Sequence, residues 1–398
     1  MRYLVYVLTA IMIWGCMTFR YVGNGFSLAV IAFCLLAGGM LYQKKRTLFP
    51  VQRNLWRAII SLYGTLFIVS LLQCDNIKNI TDTAYGSVTL FLITLPMWMV
   101  LYIGHWYDIR KIVLCVVYGN MYAFSIYGLW KYVVDKQGRL ISFYGSSTEV
   151  GMLLDLFIPF TVALGMYYWK NKYLRIASIL LVILEMIAVV LTGTRGSYLA
   201  LGVGVVATGA VYVWIHRGIL SILQKGLIGM MMVLCCLGVS GYICYMSAVN
   251  HRGMEGGERL MMWESSYHMW EDHKLLGIGL SEWKEAYNNP QSPYRPAAGK
   301  ETSNVMPHNI YIYFGATGGI LSLVGLVGYI IFMCKYLVEQ IKGYSCNPMA
   351  WAMIFMFTAF MAHGLVDGTL ISKHIGRIFY LFLGTGILFI QKYGISER

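Results

Sequence analysis

Long apolar runs separated by short polar segments extend along the whole chain. A helix needs about 20 apolar residues to cross a bilayer core, so each run predicts a membrane-spanning helix. The first run has no small-residue cleavage site after it, and a second run follows at once, so we interpret it as a retained helix rather than a signal peptide. The pattern predicts about twelve spans, near residues 3–19, 24–42, 58–73, 87–104, 112–134, 150–169, 176–192, 197–215, 227–249, 308–334, 349–367 and 377–391.

Composition supports the same fold class. Of the 398 residues, 58% are hydrophobic and only 12% are charged, whereas soluble domains carry about 25% charged residues. The sequence contains no internal repeat and no segment with the composition of a soluble domain. We therefore expect an all-α polytopic membrane protein that forms a single membrane domain over residues 1–398.

Basic residues predict the orientation of the helices. If both termini lie inside, the short inner loops are rich in lysine and arginine and poor in acids, as the positive-inside rule requires; they include Lys44, Lys45, Arg46, Arg110, Lys111, Lys170, Lys172, Arg175 and Lys342. The net charge of +13 then reflects topology and contact with anionic lipids, not binding to nucleic acid. This arrangement predicts a multi-pass membrane protein with both termini inside.

The same topology leaves one large loop, residues 250–307, on the outer side. Within it, apolar residues at 260, 261, 263, 267 and 270 recur at close to helical spacing. This spacing predicts amphipathic helices that lie on the membrane interface, with tryptophans at headgroup depth. Residues 275–280 are rich in glycine and predict a turn, and the Gly315-x-x-x-Gly319 pattern favours close packing against another helix.

Arg195 stands between two of the apolar runs, in Thr192-Gly-Thr-Arg-Gly-Ser197. A guanidinium at the bilayer centre costs roughly 2.5–3.5 kcal/mol, so we expect it at a membrane surface or in a polar cavity. The topology places it on the outer side. A set of ionisable residues shares that side and suggests a site for an anionic, phosphorylated ligand: Arg139, Glu149, Arg259, His308, Asp367, Lys373, His374 and Arg377.

Several of these residues lie in motifs that resemble the O-antigen ligase and polymerase superfamily. Thr192–Leu201 resembles the start of its core region. Arg259-Leu-Met-Met-Trp263 and Asp272–Leu280 resemble its outer-loop signature, although Lys274 stands where the family usually has proline. Pro307-His-Asn-Ile-Tyr311 resembles its His-Asn motif, and Arg139–Gly145 and Gly364-Leu-Val-Asp367 match more weakly.

The resemblance implies a C-type, inverting glycosyltransferase that needs neither metal nor cofactor. It implies a glycan donor on undecaprenyl diphosphate and a lipid A–core or lipid-linked glycan acceptor. It also implies a bacterial inner membrane, with the active site and the large outer loop on the periplasmic side. Imidazole suits proton abstraction from a sugar hydroxyl, so we assign His308 as the base. Arginines can stabilise a diphosphate leaving group. We assign diphosphate binding to Arg195, Arg259, Arg139 and Arg377, and supporting roles to Asn309, Asp367 and His374.

Other interpretations stay open at the level of sequence. A polymerase of the same superfamily would use another lipid-linked repeat as acceptor; the single large outer loop favours a ligase. A peptidoglycan-type polymerase would use a catalytic carboxylate in an outer loop. A transporter of lipid-linked oligosaccharides would show paired halves with broken helices, which the sequence does not.

Three further ionisable residues lie within predicted spans. Asp155 and Glu185 are either proton-relay groups or structurally paired, with Arg139 or Arg195 as candidate partners. His363 and Asp367 are four residues apart and share a helical face, but the pattern of a metal site is absent. We therefore expect His363 to make a structural hydrogen bond. A lone histidine near a helix end is also more often structural, and only its company makes His308 a candidate base.

Overall fold

The computed structural model describes residues 2–17, 25–42, 52–73, 86–136, 138–143, 145–249, 253–296 and 304–391, and within those ranges it contains helices and no strands. The helices are α1 (Arg2–Met17), α2 (Gly25–Tyr42), α3 (Arg53–Leu72), α4 (Gly86–Trp106), α5 (Arg110–Val134), α6 (Ser147–Tyr167), α7 (Lys172–Thr192), α8 (Arg195–Ile215), α9 (Ile222–Val249), α10 (Gly253–Asp272), α11 (Trp283–Asn288), α12 (Ile310–Gly343), α13 (Pro348–His363) and α14 (Lys373–Gln391).

The polytopic α-helical class is confirmed. Among the described residues, eight helices are long and apolar enough to cross a membrane, namely α3 to α8, α12 and α14. Four shorter apolar helices, Tyr3–Met17, Gly25–Met40, Ile222–Gly238 and Pro348–His363, coincide with the other four predicted runs. The total of twelve spans therefore stays a prediction, as does the outer position of the 250–307 loop.

Helices α6 and α14 form the centre of the bundle. Most of their length is buried, and α6 packs against α7, α13, α8 and α14. Helices α7 and α8 instead expose most of their apolar residues, as expected of surfaces that face lipid. A polar side chain on α6 must therefore find its partner within the protein, because no water reaches it there.

Helix α12 is broken at Gly319, whose φ of 64° and ψ of −161° are not helical. The glycine-rich link 274–280 fills the break: the amides of Ile278 and Gly279 donate to the carbonyls of Ala316 and Thr317, both at 3.0 Å. A Cβ on Gly319 would collide with the backbone of Leu275. The expectation that the Gly-x-x-x-Gly pattern packs against a helix is thus wrong at Gly319, which admits a loop backbone instead.

Helix α10 was expected to lie on the membrane interface, but it packs against α12. Its residues Met262 and Met269 are buried, whereas Leu260 and Tyr267 are exposed. The Trp263 indole donates a hydrogen bond to the carbonyl of Pro307 at 2.9 Å. The face that packs within the protein therefore carries Met262 and Met269, whereas Leu260 and Tyr267 of the predicted apolar face remain exposed, so a position at the membrane interface stays a prediction.

Candidate active site

The turn between α7 and α8 presents Arg195 at the start of a helix. Gly193 ends α7 in the left-handed conformation, with φ of 58°, and Thr194 is extended. Glycine adopts that conformation without steric cost. Helix α8 then begins at Arg195, so the N–H groups of its first turn and the guanidinium lie at the same place. Such a helix start favours a bound anion.

Arg139 holds this turn in place. Its Nε donates to the carbonyl of Thr192 at 2.7 Å, and its Nη2 lies 3.3 Å from the Thr194 hydroxyl. The amide of the next residue, Leu140, donates to the Leu191 carbonyl at 3.0 Å. The Nε and Nη2 groups of Arg139 are therefore bonded to the protein itself, and the first role of this residue is to hold the turn that carries Arg195.

A small polar cavity of about 60 Å³ lies in front of this turn. It brings together three of the four arginines that the sequence assigned to diphosphate binding, each from a different part of the chain. Its lining consists of Arg139, Thr148, Gly193, Thr194, Arg195, Gly196, Arg259, His363 and Val366. Several guanidiniums beside a helix start have the chemistry that suits an anion with several oxygens.

His308 lies at the start of α12 in a conformation that few residues adopt. Its φ is 51°, which for a residue other than glycine is uncommon and is found at functional sites. The next residue, Asn309, caps α12 by accepting from the amides of Tyr311 and Ile312, and its Nδ2 donates to the Leu365 carbonyl at 2.8 Å. Asn309 thus fixes the start of α12, and its supporting role in the site stays a prediction.

Asp367 orients the imidazole of His308. The Nδ1 atom of His308 lies 3.1 Å from Oδ1 of Asp367, so a proton on Nδ1 is donated to the carboxylate and Nε2 is left to accept one. Burial raises the pKa of Asp367, but the hydrogen bond and charge of His308 and the Gly368 amide outweigh it, and the pKa lies below its ordinary value. Asp367 is therefore a carboxylate, and the side chain of His308 remains 33% exposed.

The imidazole and the arginine cavity are neighbours. Val366 lines the cavity and is adjacent in sequence to Asp367, which holds His308. From the other direction, Arg259 in the cavity is one helical turn from Trp263, which is bonded to Pro307. Two short connections therefore join a potential proton acceptor to a potential anion site.

Two of the predicted site residues lie elsewhere. Arg377 on α14 stacks over the ring of Phe26 on α2 at 4.4 Å, and its Nε donates to the Lys373 carbonyl. It does not line the arginine cavity, because that face of α14 turns toward α2. Nε2 of His374 lies 3.3 Å from Oε1 of Glu149, next to Thr148 of the cavity lining, so His374 is at the margin of the site.

Sequence reasoning missed the partner of Asp155. It is His363, whose Nδ1 lies 2.6 Å from Oδ2 of Asp155, with both side chains buried. Glu185 accepts a hydrogen bond from Thr161 at 3.1 Å. The two acids are therefore bonded to His363 and Thr161 and not to Arg139 or Arg195, the candidate partners. The available signal was that each acid within a span needs a polar partner from another span.

Metal ligation and similarity to known proteins both bear on the chemistry of this site. Among the described residues, no group of three or more His, Cys, Asp or Glu side chains is placed to hold a metal ion.

No curated protein matches the chain. A family model described as O-antigen ligase matches residues 177–327, a segment that contains Arg195, Arg259 and His308. Residues 177–327 are therefore similar to the O-antigen ligase family, which confirms the resemblance that the motifs carry.

Proposed function

We propose that this protein is a metal-independent, inverting glycosyltransferase of the bacterial inner membrane. It transfers a polysaccharide from undecaprenyl diphosphate to a sugar of lipid A–core at the outer, periplasmic face. The observation that carries the proposal is the His308–Asp367 pair next to a cavity lined by Arg139, Arg195 and Arg259. The family match supports the same class of reaction.

Each half of this site has one chemical task. Nε2 of His308 accepts the proton of the acceptor hydroxyl while Asp367 accepts a hydrogen bond from Nδ1. The acceptor oxygen attacks the anomeric carbon of the donor sugar from the side opposite the diphosphate, which inverts the configuration. The bond between that carbon and the phosphate oxygen breaks, and its electron pair stays on the lipid diphosphate. Arg195 and Arg259 stabilise the added charge without transferring a proton.

A polymerase of the same superfamily would use the same site with a second lipid-linked repeat as acceptor. We favour the ligase because the predicted topology contains a single large outer loop. The break at Gly319 bears on the transporter alternative, because broken helices are common in transporters. Here, however, the broken backbone is bonded to the link 274–280 of the same chain, so its carbonyls at Ala316 and Thr317 are already used and are not offered to an ion.

The decisive experiment is a transfer assay with the full-length protein in liposomes, a lipid-linked glycan donor and excess EDTA. His308→Asn is the informative variant, since asparagine tolerates the left-handed backbone of this position but offers no base. Loss of a general base lowers the rate roughly 10²–10⁴-fold. The matched control is His268→Asn, which alters an exposed histidine 3.6 Å from Glu271.

The acceptor is varied in the same assay. Transfer to lipid A–core and not to a second lipid-linked repeat supports the ligase, and the reverse result assigns a polymerase. Wild-type transfer by His308→Asn would contradict the role of the base. Activity that is lost in EDTA and restored by Mg²⁺ would contradict metal independence. Movement of the donor across the bilayer without a glycosidic product would favour the transporter.

A further inference from the structure

His363 presents one ring nitrogen to a carboxylate and the other to the arginine cavity. It is the last residue of α13, and its Nδ1 lies 2.6 Å from Asp155 on α6. The side chains are 0% and 1% exposed. Nε2 of the same ring is buried and has no hydrogen-bond partner among the described residues. A buried polar atom left unbonded costs about 1–3 kcal/mol unless a ligand supplies its partner.

Gly196 makes the approach of this ring to the cavity possible. A Cβ at this position would lie 2.6 Å from Nε2 of His363 and 3.0 Å from its Cδ2. Any larger residue at the first turn of α8 would push the imidazole away. The absence of a side chain therefore brings the ring against the helix start, beside Arg195 and within the cavity lining.

The charges around His363 favour an anion in this cavity. The carboxylate of Asp155 faces Nδ1, while the cavity side is cationic and carries the positive end of the α8 dipole. Asp155 therefore occupies one side of the ring, and the guanidiniums attract an anion to the other side. The charged groups that face the ring from the surrounding elements are Asp155 on α6, Arg195 on α8, Arg259 on α10, Arg139 before α6 and Asp367 after α13.

We propose that His363 is a binding residue for the lipid diphosphate, held in place by Asp155. Its Nε2–H donates a hydrogen bond to a phosphate oxygen and strengthens that bond as the leaving group gains charge. The electron pair of the broken sugar–phosphate bond remains on the phosphate, and the acceptor proton goes to His308, so His363 keeps its proton throughout. The inference rests on the proposed function. It adds an imidazole N–H to the guanidiniums and the helix N–H groups of the anion site.

The test is binding of farnesyl diphosphate to the purified full-length protein in detergent, with uncharged farnesol as the reference. His363→Asn removes the donor at Nε2, whereas the longer amide of His363→Gln places an N–H near that position. A hydrogen bond to a charged group corresponds to about a tenfold to hundredfold change in affinity. We expect that loss with asparagine and partial recovery with glutamine. Farnesol affinity and the His268→Asn control should be unchanged.

Displacement of the ring separates binding from a merely structural role. Gly196→Ala provides a second variant that leaves Asp155 and His363 intact and displaces the ring. It should weaken binding of farnesyl diphosphate and leave farnesol unaffected.

The outcomes distinguish this inference from the proposed function. If the wild type fails to bind farnesyl diphosphate, or if Arg195→Lys binds it equally well, the diphosphate site of the proposed function is wrong and the inference falls with it. If Arg195→Lys weakens binding but His363→Asn and Gly196→Ala bind with wild-type affinity, His363 is a structural residue and only the inference is overturned.

Discussion

The indole nitrogen of Trp263 donates a hydrogen bond to the carbonyl oxygen of Pro307, 2.9 Å away. Trp263 lies one turn after Arg259 on α10, and Pro307 immediately precedes His308. The bond therefore sets the distance between the helix that carries one phosphate-binding candidate and the loop that carries the candidate base. Glycosyl transfer depends on such positioning, since misplacement of about 1 Å can lower a rate by roughly 10²-fold.

Trp263→Phe should lower kcat/KM about three- to tenfold, because it removes one hydrogen bond while keeping an aromatic ring in place. Trp270→Phe is the matched control on the same helix, since the indole nitrogen of Trp270 has no hydrogen-bond partner among the described residues. Steady-state transfer kinetics measure both. Equal effects of the two substitutions would show that the ring, and not the bond to Pro307, matters.

Asp367→Asn should lower transfer by up to about 10⁴-fold, as in other His–Asp pairs where an amide favours the wrong imidazole tautomer. The amide Nδ2 can donate to Nδ1 of His308 and so place the proton on Nε2, where a base must accept. Asp367→Glu keeps the charge and should retain more activity. If Asp367→Asn is as active as the wild type, the carboxylate does not orient the base.

The same carboxylate makes stability depend on pH. The pKa of Asp367 is lowered in the folded protein, so its contribution is fully present above the unfolded pKa of about 3.9. It is lost as pH falls through the lower folded value. The difference in melting temperature between the wild type and Asp367→Asn should thus be largest near neutral pH and shrink in acid. A constant difference from pH 7 to pH 3 would contradict this.

Arg195→Lys and Arg259→Lys should each lose most of the transfer activity. A planar guanidinium can engage two phosphate oxygens at once, whereas an ammonium acts as a point charge. The loss of one such donor corresponds to roughly 10²–10³ in kcat. Arg377→Lys serves as the comparison, because that guanidinium stacks on Phe26 away from the cavity. Full activity of both cavity variants would leave these arginines only a general electrostatic role.

Cysteine labelling tests the orientation. In a cysteine-free background, Lys284→Cys on α11 should react with an impermeant maleimide in intact cells. Lys342→Cys, near the end of α12, should react only after the membrane is opened. Both positions are exposed, so access depends on the side of the membrane. Labelling of position 342 in intact cells would reverse the topology and remove the assigned outer face from the arginine cavity.

Apolar run length predicted the helices well, because the bilayer fixes how many apolar residues a span needs. Arg195 and His308 could be found in the same way, from their places at predicted span ends, and Arg259 from the outer-loop motif. The hydrogen-bond partners of the buried ionisable residues could not be predicted from the sequence. The pairing of Asp155 with His363 joins residues 208 positions apart and depends on which helices of the bundle are neighbours.

Arg377 shows the complementary error. Its place at a predicted span end suggested the same face as Arg195, but its guanidinium stacks on Phe26 of α2. The break in α12 was also hidden, since Gly319 reads as a packing glycine in the sequence. Only the structure shows that the link 274–280 occupies the gap in the helix and that the φ of Gly319 is left-handed.

That break has a consequence for how pieces of this fold can be exchanged. The amides of Ile278 and Gly279 supply bonds that the interrupted helix cannot make for Ala316 and Thr317. The loop that contains the link 274–280 therefore completes the backbone hydrogen bonding of α12 and is not an independent segment. A chimera that grafts a loop from a related chain must bring the matching half-helix with it, or it will leave buried carbonyls unbonded at the centre of the graft.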